Sequence, residues 1–246
     1  MTKDNLPLEK AYDAVAEDYL ISRSSGKTRC GFKNRMGEQP TMFETVPRKL
    51  QGKKLLDLGC GPGIHAKEYC VRGAEVMGVD FSEEMIKIAK EQEPKATFLK
   101  ADLLELPFPD NHFDIITSSY VLDHIEDLNS AAKEILRVLK NNGEFIFTIP
   151  HPIINMFRDE KEGKYTPSHS YFDTNFKYFN IGNTKKTFKS YPRTLEELFR
   201  PFLSLGMVLI DFKENKPNTS WRDEYDQFDE NLLRVPFLCC FKWKKK

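Results

Sequence analysis

The sequence has no apolar run long enough to cross a bilayer, since none approaches the roughly 18–20 residues a spanning helix needs. The opening MTKDNLPLEK contains no apolar core of the kind a secretory signal carries. An excess of charge of one sign is also missing. The 37 basic side chains balance 37 acidic ones, so no global field gathers nucleic acid or an anionic membrane. Cysteine is sparse and poorly placed for structural chemistry. The five residues, Cys30, Cys60, Cys70, Cys239 and Cys240, contain no C-x-x-C pair. That spacing argues against a zinc site and against a disulfide framework. The expectation is a soluble, cytoplasmic protein with no metal, no membrane and no nucleic-acid partner. The one basic run, Lys242 and Lys244 to Lys246, reads as a frayed, solvated tail.

What is present is material for a core: 246 residues, 40% of them hydrophobic, enough for one decorated α/β domain. From Lys53 to Pro150 short apolar runs alternate with amphipathic segments. KKLLDLG, AEVMGVD, ATFLKAD, FDIITSS and EFIFTIP read as five strands. HAKEYCVRG reads as a helix stopped by Gly73, and Ser82 reads as an N-cap before Met85, Ile86, Ile88 and Ala89. DLNSAAKEILRVLKNNG carries Ala132, Ile135, Leu136 and Leu139 at helical spacing. Such alternation predicts a mostly parallel sheet with helices on both faces. Right-handed crossovers then gather the loops after each strand on one edge, where ligands bind.

The flanks are less regular. AYDAVAEDYL places Tyr12, Val15, Ala16 and Tyr19 on one helical face. Residues 151–190 show no clean period but hold Phe157, Tyr165, Tyr171, Phe172, Phe176, Tyr178, Phe179 and Phe188. A connection this long and this aromatic reads as a lid or binding segment. RTLEELFRPFLSLGM then reads as a helix with a Thr194–Glu197 capping box, followed by strands in MVLIDFKE and VPFLCCFKW.

The stretch LLDLGCGPG at 55–63 brings a glycine loop to the end of the first strand. A dinucleotide fingerprint would need glycine at its sixth position, which is Ile64, with the third glycine one place early at Gly63. A phosphate-binding P-loop would need G-K-[ST], which is absent. Asp57 before the glycines would repel a pyrophosphate and favour a cationic ligand. Asp80 closes the second strand about 20 residues on, the position of an acid that accepts from ribose hydroxyls. Asp102 closes the third strand, beside Leu103, where a carboxylate can accept from an adenine amino group.

LLDLGCGPG, GVDFSEEMIKIAK and ADLLELPFPDNHFDIITSSYVLDHI together resemble the class I S-adenosylmethionine-dependent methyltransferases. The resemblance covers residues 10–150 well and 194–243 by topology. It implies a Rossmann-like seven-stranded sheet with the last strand antiparallel. The expected organisation is one domain over 1–246: an N-terminal cap at 1–50, a cofactor core at 53–150, an aromatic lid insertion at 151–190, and a helix and strand pair at 194–243. The resemblance also implies S-adenosylmethionine as cofactor and S-adenosylhomocysteine as product. Carried over by position, Gly59 and Gly61 let the backbone approach the cofactor, and Asp57 supports the loop or the methionine amino group. Asp80 holds the ribose. Phe81 and Met85 lie against the adenosyl group, and Asp102 and Leu103 hold the adenine. Ser118 offers backbone to the methionine part. Tyr12 and Tyr19 close over the methionine end, and Arg23 pairs with its carboxylate. Each has a plainer alternative as a cap, a turn or ordinary core.

Two histidines follow strands and suit proton transfer, His124 after the fourth and His151 after the fifth. Their plainer alternatives are packing under the cofactor and stabilising the loop before Pro152. The [DNS]-P-P-[YFW] motif of many amino-group methyltransferases is replaced by SSYV, and no cysteine follows the fourth or fifth strand. These absences favour a small-molecule acceptor, with oxygen or nitrogen preferred over carbon as the methylated atom. The rivals are a protein- or RNA-directed methyltransferase and a non-catalytic scaffold.

Overall fold

The computed structural model describes residues 8–25, 28–157, 170–180, 187–216, 218–224 and 233–246. The five expected strands form β1 (Lys54–Leu58), β2 (Glu75–Asp80), β3 (Thr97–Lys100), β4 (Phe113–Ser119) and β5 (Leu139–Pro150). A small antiparallel hairpin follows, β6 (Lys177–Asn180) and β7 (Thr187–Ser190). The chain closes with β8 (Val208–Glu214) and β9 (Leu238–Lys244). The main sheet runs β3-β2-β1-β4-β5-β9-β8. Its first five strands are parallel, and β9 enters antiparallel between β5 and β8.

The order reverses between β1 and β4, so the loops after these strands diverge and leave a crevice. Helices cover both faces, which is why the central strands are apolar throughout rather than alternating. One face packs Leu56, Leu58, Ile116, Phe145 and Phe147 under α7 (Leu128–Val138) and α8 (Leu195–Ser204). The other packs Leu55, Ile115 and Ile146 against α5 (Ala66–Val71) and α6 (Glu83–Gln92). The local signals behave as their chemistry requires. The Ser82 hydroxyl accepts from the Met85 amide, and the Thr194–Glu197 capping box is complete.

The helix expected to run through Leu139 stops at Val138. Leu139 instead turns extended and pairs with Phe113, and Asn142 takes a left-handed φ of 63° in the irregular stretch before the parallel pairing resumes at Ile115 and Glu144. The C-terminal lysines are not frayed. Lys245 Nζ donates to the carbonyls of Leu136 and Leu139 at 2.7 Å each, and its amide donates to Gly143.

Before the sheet, the expected N-terminal helix is two, α1 (Leu8–Asp13) and α2 (Ala16–Ser24). They are followed by α3 (Arg29–Lys33), a π-helical turn at Asn34–Glu38, and α4 (Gln39–Thr45). Of the expected lid, residues 158–169 and 181–186, Tyr165 among them, lie outside the described residues. The hairpin β6–β7 lies among the described residues of this segment, and Phe188 is buried against Ala11 and Val15. Among the described residues no helix is long and apolar enough to cross a membrane.

Candidate active site

β1 ends in the glycine loop, whose shape is set by backbone hydrogen bonds. The amides of Gly59 and Cys60 both donate to the Val79 carbonyl, at 2.8 and 2.9 Å. Gly59, Gly61 and Gly63 all have positive φ, the left-handed region that glycine enters without a Cβ clash. The first two have different reasons to be glycine. A Cβ on Gly59 would lie 2.3 Å from Val121 Cγ2, whereas a Cβ on Gly61 meets nothing nearer than Tyr19 Cε1 at 3.9 Å. Gly59 is required by packing, and Gly61 borders empty space.

That space is a cavity of about 290 Å³, at the lower end of the size of small-ligand sites. Gly59, Gly61, Asp80, Phe81, Met85, Asp102, Leu103, Tyr19 and His124 all line it. Residues spread over more than a hundred positions of sequence thus converge, as the strand-end argument required. Asp80 sits at the centre. Its Oδ2 accepts from the Gly61 amide at 2.9 Å and its Oδ1 from the Ser82 amide at 3.0 Å. The carboxylate therefore fixes the loop and still has lone pairs to offer a ligand. Burial pushes its pKa up to about 6, although the Ser82 and Gly61 amides pull the other way. The Asp102 Oδ1 accepts from the Leu104 amide at 2.8 Å, which orients that side chain.

Helix α1 roofs the cavity. Lys100 pairs with Glu9 at 2.7 Å, and the Ser82 hydroxyl donates to Asp13. Among the described residues no lysine or arginine lines this cavity, while Glu9, Asp80 and Asp102 do. The charge set is wrong for a phosphate and right for an adenosyl sulfonium, a cation without phosphate.

Other expected residues lie elsewhere. Ser118 is turned inward, donating to the Leu58 carbonyl at 3.1 Å, and its neighbours Ser119 and Tyr120 face the cavity instead. Alternation along β4 decides this, and sequence alone left its phase open. Asp57 lies beneath the loop, buried, with Oδ1 accepting from Thr117 at 3.0 Å and Oδ2 without a partner among the described residues. Burial raises its pKa, opposed by the nearby His65 charge and the Thr117 hydroxyl. His151 lines neither this cavity nor the next. Its Nδ1 accepts from the Ile153 amide and its Nε2 pairs with Glu214 at 2.9 Å, so it holds the turn after β5.

A second cavity of about 270 Å³ adjoins the first, with Tyr12, Tyr19, Tyr120 and His124 on their common wall. Its remaining lining includes Arg23, Lys33, Asp123, Ile154 and Phe237. The Arg23 guanidinium lies between the rings of Tyr19 and Tyr120, 5.3 and 5.0 Å from their centroids, and its Nε has no hydrogen-bond partner among the described residues. Tyr120 adopts a left-handed φ of 54°, a strained conformation for a bulky residue and a frequent mark of functional sites.

Sequence reasoning missed the buried pair behind the loop. Glu38, on the π-helical turn, places Oε2 2.9 Å from His65 Nε2 and Oε1 3.0 Å from the Thr148 hydroxyl. Burial works against both charges. The partner outweighs it in each case, so the His65 pKa rises and the Glu38 pKa falls. A lone Glu in an irregular segment gave no signal, because its partner lies 27 residues away across the fold.

The sheet order and the glycine loop define a Rossmann-like methyltransferase fold, and the comparisons agree. The family model described as a methyltransferase domain matches residues 56–147. An uncharacterised protein of Haemophilus influenzae is 34% identical, covering 86% of this chain and 88% of that one. A demethylmenaquinone methyltransferase of Lactococcus lactis is 28% identical over 87% of this chain and 88% of its own. Among solved structures, an S-adenosylmethionine-dependent methyltransferase from Mesorhizobium loti superposes with a TM-score of 0.71 at 25% identity, over 85% of this chain and 97% of that one. The chain belongs to the class I S-adenosylmethionine-dependent methyltransferases, and S-adenosylmethionine is its cofactor.

Proposed function

We propose that the enzyme methylates a small-molecule acceptor bound in the second cavity, with the cofactor in the first. The observation that carries this reading is their common wall: two adjoining cavities, each of small-ligand size, meet at Tyr12, Tyr19, Tyr120 and His124. When bound, the cofactor supplies a methyl group already activated on a sulfonium, so the protein's work is mainly alignment and exclusion of water. In this reading Asp80 accepts from the ribose hydroxyls, Asp102 and Leu103 hold the adenine, and Phe81 and Met85 pack on the adenosyl group. Gly59 and Gly61 form the floor. Ser118 is set back, so its neighbour Ser119 offers backbone. Tyr19 closes the methionine end, Arg23 takes the carboxylate, and Asp57 supports the loop.

The acceptor side is partly apolar, with Tyr120, Ile154 and Phe237 as walls, and relatives include a demethylmenaquinone methyltransferase. An oxygen or nitrogen acceptor fits the polar groups Asp123 and His124 at this end. The test is a screen of small molecules for methyl transfer from labelled cofactor. Turnover on a small molecule supports the reading, and labelling confined to protein or RNA overturns it.

The ligand-free Asp80 carboxyl, near pH 6, gives this site a pH dependence. Hydroxyl donors and a nearby sulfonium bind the carboxylate and not the acid. Affinity for the product S-adenosylhomocysteine, which keeps the ribose hydroxyls, is therefore full above about pH 6 and falls as pH drops through it, about tenfold per unit. Without ligand the sign is opposite. The folded protein holds the Asp80 proton over a window where the unfolded chain, with its carboxyl at 3.8, has lost it, so this group's contribution weakens as pH rises through about 4–6. Thermal shifts with and without S-adenosylhomocysteine, at about pH 5 and about pH 7.5, check both signs.

A further inference from the structure

The wall between the cavities contains a directed hydrogen-bond chain. Tyr12 Oη lies 3.1 Å from His124 Nε2, and His124 Nδ1 lies 2.9 Å from the Lys189 carbonyl oxygen. A carbonyl only accepts, so Nδ1 carries the proton of the neutral imidazole. Nε2 then presents a lone pair, and the Tyr12 hydroxyl donates to it. The Tyr12 oxygen retains acceptor capacity towards the space where the cavities meet.

The chain is assembled from three distant parts of the sequence: α1, the turn after β4, and β7 of the insertion. The Tyr12 ring is fixed by Phe188 at 4.7 Å, Phe81 at 5.6 Å and Tyr19 at 6.2 Å between centroids. Burial, with Tyr19, Asp123 and Asp80 nearby, raises the Tyr12 pKa well above the ordinary phenol value. Tyr12 therefore stays protonated and donating at neutral pH. A hydroxyl that donates to an oriented imidazole and still has lone pairs at a ligand junction is built to pass a proton onward.

We propose that Tyr12 is a catalytic residue that takes the acceptor's proton, with His124 the positioning residue that draws it on. The proposal rests on the small-molecule reading above and extends it to a class of acceptor: a hydroxyl or amine that is not already ionised. As the acceptor oxygen or nitrogen is methylated, its bond to hydrogen breaks and that proton passes to Tyr12 Oη. The proton Tyr12 already carried moves to His124 Nε2, giving an imidazolium held by Lys189 through Nδ1–H. The imidazolium then returns its proton to solvent, so no further co-reactant is needed.

The first test needs no acceptor. Nitrogen NMR of the full chain, labelled in its histidine rings and saturated with S-adenosylhomocysteine, should show His124 with Nδ1 protonated and Nε2 bare. Tyr12→Phe keeps the ring packing, and it should move the Nε2 resonance of that one histidine through loss of the donated bond. A wild-type ring protonated at Nε2, or a resonance indifferent to Tyr12→Phe, overturns the relay. The second test uses whichever acceptor the screen yields. Tyr12→Phe should lower turnover roughly a hundredfold, and turnover within twofold of wild type overturns the proposal. Failure of the small-molecule reading is distinguishable, because it appears as wild-type labelling confined to protein or RNA.

Discussion

Gly61→Val is expected to abolish detectable binding of S-adenosylhomocysteine while leaving a folded protein. The Cβ of residue 61 points into the first cavity, where no protein atom lies closer than 3.9 Å. A branched side chain there fills ligand space instead of displacing protein. The loss in binding is about 3 kcal/mol or more, a hundredfold or greater, the upper range for overpacking a fitted site. The positive φ of 51° adds a stability cost of about 1 kcal/mol for any residue other than glycine. Gly59→Ala makes the contrast, because its Cβ would strike Val121 at 2.3 Å and its effect falls on folding. Calorimetry together with thermal denaturation separates the two. Normal binding by Gly61→Val would mean that the ligand does not lie over this loop.

Glu38→Ala is expected to cost the largest share of stability, about 3–5 kcal/mol, as for other buried ion pairs broken on one side. The Glu38 side chain is fully buried and both its oxygens are engaged, one with His65 and one with Thr148. The pair ties the N-terminal cap to the end of the glycine loop and to β5, so its loss loosens the loop as well as the fold. His65 can discharge once its partner is gone, which favours the lower end of the range. The pH dependence has a definite sign. The His65 pKa is raised, so its contribution is present below the unfolded value near 6.5 and fades as pH rises through the folded one. The Glu38 pKa is lowered, so its contribution is present above the unfolded value near 4.5 and fades in acid. The difference in stability between wild type and Glu38→Ala should therefore be greatest between about pH 4.5 and 6.5, and denaturant titrations across that range measure it.

The sheet was legible because its strands are short, apolar and separated by helical periods. Strand-end logic points to Gly59, Gly61, Asp80 and Asp102, and these do line one cavity. Where the reading slipped, the cause lies in information a sequence does not carry locally. Ser118 and Ser119 are adjacent and chemically alike, and only the phase of β4 puts Ser119 in the cavity. His124 and His151 occupy equivalent places after neighbouring strands, yet a single ion pair with Glu214 turns His151 to a structural task. Tyr12 was visible as part of an apolar helical face, but its hydrogen bond to His124 spans 112 residues and depends on the cap folding over the sheet. Glu38 could not be found at all, since its meaning comes from His65 and Thr148, both brought to it by tertiary structure.

The central claim is that the cavity above the glycine loop holds the adenosyl cofactor through Asp80. The most direct measurement is calorimetric titration of S-adenosylhomocysteine into wild type and Asp80→Ala at neutral pH. The wild type should bind, and the variant should bind more weakly by about 1.5–3 kcal/mol, roughly ten- to a hundred-and-fifty-fold, the range for hydrogen bonds to a charged group. Equal affinity in the two proteins would contradict the assignment of this cavity and of Asp80 within it.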